Sequence, residues 1–291
     1  METIQAEIRC KIIDFLKSHK IKCDDEMDYT QSLLTLFDLN RKWIPAKERE
    51  VLYSEELKKK MKSELPQDTI DSIHYFEKEF SDGNNVNGHL SRNIFVSDRY
   101  DNLLNQWNIH HLHLEKKAAT SKSKMRKNRS DTYLLFLVDD KKAYFLDCVP
   151  HLEDEEFADL NFIEIIFNNK WLDVVPLRKM EGVVGIEPAI RNKEDIYKMW
   201  QANMNVSVFE FEKEFYFVGN GITLSGNNIS DMSTVCNFNK ILFNYTQDER
   251  FSLLSTTVME NNCILRLAVK HCGVEKHIIV VENNGVNCFE L

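Results

Sequence analysis

The sequence predicts an α+β protein with a helical N-terminal region, a central antiparallel sheet backed by helices, and a β-rich C-terminal domain. Three observations predict it. Apolar residues recur at helical spacing over the first forty positions. From Trp107 the period shortens to two in "WNIHHLHLE", "TYLLFLV" and "AYFLDCV". After Pro176 alternating runs dominate, with one further helical stretch.

Taken in order, Ile4, Ile8, Ile12 and Leu16, with Ile13 and Phe15 beside them, form the stripe of an amphipathic helix, and "SLLTLFDL" supplies a second. Pro45 in "RKWIPAKERE" interrupts the pattern. A charged helix is expected over roughly 54–64, and after Pro66 a second one over "DTIDSIHYFEKEF", with Asp68 as its N-cap. "SDGNNVNGHLSRN" reads as a polar loop. The three strand candidates follow, the last two joined by "DDKK" as a hairpin, and "FADLNFIEIIFNNKW" returns to helix. Beyond it, "VSVFEFEKEFYFVGN" alternates like a hairpin turning near Glu212 and Lys213. "ISDMSTVCNFNKILFNY" is helical, and "CILRLAVK" pairs with "EKHIIVVE" across "HCGV". These patterns divide the chain into three expected regions, 1–66, 67–178 and 179–291.

The 291 residues, 43% hydrophobic and 29% charged, are those of a globular chain with a sizeable core. No apolar run approaches the roughly 20 residues of a membrane helix, and "METIQAEIRC" lacks a secretory apolar stretch, so no membrane partner and a cytoplasmic location are expected. The seven cysteines are scattered without a C-x-x-C pair, as buried reduced thiols would be. Cys148 lies near His151, but an apolar strand is a poor place for a thiolate.

The net charge of −9 excludes a general nucleic-acid-coating protein, yet its distribution is uneven. Lys116, Lys117, Lys122, Lys124, Arg126, Lys127 and Arg129 carry +7 with no acidic residue among them; with −9 overall, the remainder carries −16. Such a segment concentrates positive potential suited to phosphates or an acidic partner.

Directly before it stands "NIHHLHLEKK", residues 108–117. If 109–114 is a strand, Ile109, His111 and His113 share one face, with the two imidazoles about 7 Å apart, and His110, Leu112 and Leu114 share the other. Three readings remain open for this stretch. Histidine titrates near neutrality, so a pair can supply the base and the acid of RNA transesterification, with Arg126, Lys127 and Arg129 stabilising phosphate charge and no cofactor required. His111 and His113 with Asp147 could instead hold a divalent metal in a phosphoesterase. The third alternative is a strand whose histidines are satisfied by neighbours and do no chemistry; for the whole chain the non-catalytic alternative is a regulator or sensor that uses the basic loop to bind a protein partner. "GNGITLSGNN" has the context of a phosphate-cradling turn but lacks the G-K-[ST] ending, and glycine-dependent turn geometry is the expectation there.

The order helix, helix, "WNIHHLHL", basic connection, "DTYLLFLVDD", hairpin, "KAYFLDCVPH", helix resembles the core of RelE/ParE-type bacterial toxins, over residues 68–172. In that superfamily a curved antiparallel sheet backed by helices carries basic and sometimes histidine residues; many members cleave mRNA on the ribosome and others poison gyrase. The resemblance implies a toxin or anti-phage defence effector, an endoribonuclease acting on RNA, ribosome-associated, with an antitoxin or other protein partner. It implies Arg129, Lys116, His111, His113 and His151 around a phosphate; joined to the basic segment, the expected catalytic groups are His111, His113, Arg129 and His151 and the expected phosphate-binding ones Lys116, Lys117, Lys124, Arg126 and Lys127. "WNIHHLHLEKK", "RSDTYLLFLVDD" and "GNGITLSGNN" are also similar to stretches of uncharacterised bacterial proteins. The chain departs from the small basic toxins in being larger and acidic.

Overall fold

The computed structural model describes every residue except 1, 22, 91–100, 115–131, 151–154, 188–189, 224–226, 248–250, 261–262, 272–273, 283–284 and 291. In chain order the elements are helices α1 (Glu2–Ser18) and α2 (Tyr29–Lys42), strand β1 (Glu50–Tyr53), and helices α3 (Glu55–Ser63), α4 (Gln67–Ser81) and α5 (Asn102–Trp107). Strands β2 (His110–His113), β3 (Thr132–Val138) and β4 (Lys142–Pro150), helix α6 (Asn161–Asn168), strand β5 (Leu177–Lys179), helix α7 (Lys193–Gln201) and strands β6 (Val208–Phe211) and β7 (Glu214–Val218) follow. Helix α8 (Ile229–Thr246) and strands β8 (Ser252–Glu260), β9 (Cys263–His271), β10 (Val274–Glu282) and β11 (Gly285–Glu290) complete the chain. The class is α+β, as expected.

The division of the chain is not the expected succession of three regions. The described residues of Met1–Trp43 and Gly226–Leu291 form one compact unit, and those of Ile44–Arg92 and Tyr100–Ser225 form a second. The N-terminal helices need a surface to bury their stripe, and the C-terminal sheet provides it; sequence periodicity shows the stripe but not its partner.

In the first unit β8–β11 form an antiparallel sheet in the order β11-β10-β9-β8. Leu265, Leu267 and Val269 are fully buried while Arg266 between them is exposed, the period of two that a one-sided sheet imposes. Ile279 lies opposite Leu267 and Val281 opposite Leu265, so the buried face continues across β10. Ile8, Ile12 and Leu16 of α1, Leu33, Leu36 and Phe37 of α2, and Val235, Phe238 and Leu242 of α8 share that core. Asp28 caps α2, accepting from the Gln31 N–H at 2.8 Å.

The second unit holds two sheets. The larger has the order β1-β4-β3-β2. Its β2-β3-β4 meander is antiparallel, but β1 joins the outer edge of β4 in parallel, correcting the all-antiparallel expectation. This strand is only the four residues "EVLY", too short to show a period. Long-range contacts hold it. Arg49 donates from Nε to the Asp139 carbonyl and from Nη1 to the Pro45 carbonyl, each at 2.8 Å, and its own N–H reaches the Phe80 carbonyl at 2.9 Å.

Both faces of the meander are covered, which is why β3 and β4 read as continuous apolar runs. On one face Phe136 and Phe145 pack edge-on to Phe80 of α4. On the other, Tyr133, Leu135, Leu137, Tyr144 and Leu146 share a core with α6, α7 and the small sheet β5-β7-β6. The charged helix α3 starts at Ser54, whose hydroxyl accepts from the Leu57 N–H at 2.9 Å and donates to the Leu146 carbonyl at 2.5 Å. Helix α4 is led by Pro66 and not by the expected Asp68. Asp68 sits inside the first turn, where its charge still suits the helix dipole. The β6–β7 hairpin turns at Glu212 and Lys213 as expected, both with positive φ (49° and 67°).

Candidate active site at the histidine strand

The approach to β2 differs from the expected long strand. Residues 102–107 are helical, and Asn108, left-handed at φ 59°, ends α5 and redirects the chain into β2. Asp101 begins the same helix, its Oδ1 accepting from the Leu104 N–H at 3.0 Å. The α5 turn therefore brings Asp101 back toward the start of β2.

Along β2 the side chains alternate as the spacing requires. His110 is buried at 5% exposure and stacks on Phe136, ring centroids 5.4 Å apart, a packing position on the α4 side. His111 and His113 both approach Tyr133, at 5.2 and 4.7 Å between centroids. The expected open pair of imidazoles is only partly realised. The His111 side chain is 13% exposed, lying between Tyr133 and Phe157 of the short turn Glu156–Ala158 at the rim of the apolar core. His113 is partly exposed.

The buried Nδ1 of His111 lies 3.5 Å from Oδ2 of Asp101 and has no hydrogen-bond partner among the described residues. Asp101 was not among the expected site residues. An acidic N-cap before "NLLNQW" was its only sequence signal, and nothing local ties a cap to a ring ten positions onward.

The cationic residues expected around a phosphate, Lys116, Lys117, Lys122, Lys124, Arg126, Lys127 and Arg129, lie outside the described residues, as does His151. Their tether is described. Leu114 leaves β2 and Thr132 enters β3, joined by a backbone hydrogen bond from Leu114 N–H to Thr132 carbonyl of 3.2 Å, next to the register pair His113 and Tyr133. Leu114 and Thr132, the described residues on either side of 115–131, thus lie next to His113 at the end of the β2–β3 pair.

The metal alternative fares differently. Asp147 faces Leu135 in register, as His111 does from the other side, which sets His111 and Asp147 two strands, about 10 Å, apart. Its carboxylate is instead paired with Lys60 Nζ at 2.8 Å and bonded to the Cys148 N–H. Burial pushes the Asp147 carboxyl up, opposed by Lys60. Among the described residues no three His, Cys, Asp or Glu side chains converge as a metal site. Burial also pushes the Cys148 thiol up to about 12, so it is no thiolate nucleophile.

The glycine-containing loop has a conformational role. Gly221, at φ 150°, leaves no room for a Cβ, which would come 2.4 Å from Asn205 Oδ1. That amide clamps Ile222 by its N–H at 2.7 Å and its carbonyl at 2.6 Å. Among the described residues no helix is long and apolar enough to cross a membrane. No protein-family model, curated protein or solved structure matches the chain.

Proposed function

We propose that the protein is an RNA-cleaving effector, of the bacterial toxin or anti-phage defence type, that works without a metal. One observation carries this reading: two imidazoles on one face of β2 flank Tyr133, at the strand end whose Leu114 and Thr132 precede and follow the cationic segment in the sequence. One histidine takes the proton of a ribose 2′-hydroxyl as its oxygen attacks the adjacent phosphorus. The other protonates the departing 5′-oxygen, leaving a 2′,3′-cyclic phosphate and a 5′-hydroxyl. Lys127 and Arg129 are proposed to oppose the charge that builds on the phosphoryl oxygens, with Lys116, Lys117, Lys124 and Arg126 holding the flanking backbone. A ribosome-bound message and an antitoxin-like partner fit the RelE/ParE resemblance, and a cytoplasmic site of action follows from that substrate.

The test is an end-labelled RNA incubated with the purified chain in the presence of a chelator. Cyclic-phosphate ends are expected, with the rate falling by at least about 100-fold in His111→Ala and His113→Ala. Intact RNA with the folded wild type, cleavage that the chelator abolishes, or full activity in both variants overturns the proposal. RNA retention without cleavage by the wild type would assign the segment to binding alone.

A further inference from the structure

We infer that Asp101 is the positioning residue that sets the tautomer of His111 and thereby assigns the roles of the two imidazoles; the assignment of roles rests on the RNA-cleavage reading, the tautomer does not. The two oxygens of this carboxylate face different duties. Oδ1 caps α5 through the Leu104 N–H at 3.0 Å, which fixes the carboxylate in space. Oδ2 lies 3.5 Å from the buried Nδ1 of His111, which bonds to nothing else among the described residues. A carboxylate only accepts, so the group facing it must carry the hydrogen. The neutral ring is then protonated on Nδ1, and its lone pair sits on Nε2. Because Nδ1 is sealed, the 13% of the side chain that remains accessible lies on its other atoms. Tyr133 and Phe157 restrict the ring from two sides, so it cannot reorient freely.

His111 is therefore the base, with Nε2 accepting the 2′-hydroxyl proton while Asp101 holds the Nδ1–H side of the ring. His113, the other imidazole of the face, is then the acid that protonates the leaving oxygen. Both protons are accounted for: one passes from the 2′-oxygen to His111, the other from His113 to the 5′-oxygen, and exchange with water restores the starting states.

Asp101→Asn separates the cap from the tautomer. Asparagine caps a helix as well as aspartate does, so α5 is kept. Its Oδ1 stays on the Leu104 N–H and its amide nitrogen, a donor, now faces His111, which must accept on Nδ1 and carry its proton on Nε2. Long-range ¹H–¹⁵N NMR of the full chain, with His111 assigned through His111→Gln, reads this directly. We expect the Nδ1–H form in the wild type, the Nε2–H form in Asp101→Asn, and a mixture in Asp101→Ser, which caps α5 but leaves the ring without a partner. RNA cleavage should fall about 10⁴-fold in kcat in Asp101→Asn with KM little changed, the loss a wrong tautomer produces. Nε2–H in the wild type, or one tautomer in wild type and Asp101→Asn alike, overturns the inference. A tautomer that flips in a protein whose wild type leaves RNA intact upholds Asp101 as the positioning residue and overturns the nuclease reading.

Discussion

Asp231 of α8 offers a quantitative test of how burial and ion pairing compete in the first unit. Its carboxylate is 10% exposed and receives Arg41 Nε at 3.3 Å, while Arg41 also pairs with Asp38 through Nη2 at 2.5 Å and Lys42 pairs with Asp38 at 2.6 Å. Two cations therefore serve two carboxylates, and the Arg41 Nη1 is buried without a hydrogen-bond partner among the described residues. Burial dominates: it pushes the Asp231 carboxyl from 3.8 to about 6, against the pull of Arg41. A raised carboxyl means the folded state holds the proton more tightly than the unfolded one. Stability from this group is complete below about pH 4 and is lost as pH rises through about 6. The shift of roughly two units corresponds to about 3 kcal/mol. Asp231→Asn is neutral throughout and can still accept from Arg41. It should exceed the wild type by up to about 3 kcal/mol at pH 7.5 and converge with it near pH 4. Urea unfolding at pH 4, 5, 6 and 7.5, read by hydrogen exchange in α2 and α8, measures the difference. A variant less stable than the wild type by the same amount at every pH refutes the reasoning, because the Arg41 attraction would then outweigh the cost of burial.

Two further outcomes follow from single contacts. The β6–β7 turn places Glu212 and Lys213 at φ 49° and 67°, a conformation that costs non-glycine residues about 1 kcal/mol each, so Glu212→Asn with Lys213→Gly should stabilise the second unit by about 1 kcal/mol, seen as a raised urea midpoint. Lys60→Met removes the cation from the 8%-exposed Asp147, and should cost about 2 kcal/mol at pH 7.5. Because burial already raises this carboxyl, the loss should shrink on acidification as the folded state takes up the proton, a trend that urea midpoints between pH 5 and 7.5 would show or contradict.

Local pattern alone determined the elements whose side chains repeat with the period of their own structure. Ile8, Ile12 and Leu16 mark α1, Leu265, Leu267 and Val269 mark β9, and the alternation around Glu212 and Lys213 places a hairpin turn to the residue. The same alternation separated His110, which stacks on Phe136, from His111 and His113, which meet at Tyr133. Tertiary structure decided what those elements face. The four-residue β1 owes its place to Arg49 and a parallel partner some ninety positions away; α1 and α2 bury their stripes against strands from the other end of the chain. Asp147 was drawn to Lys60 and away from the histidines, and Asp101 was drawn to His111. The physical reason is common to all four. Periodicity records how a side chain is oriented relative to its own backbone, whereas the burial of a strand edge, a charge or an imidazole nitrogen is settled by whichever distant group completes its contacts.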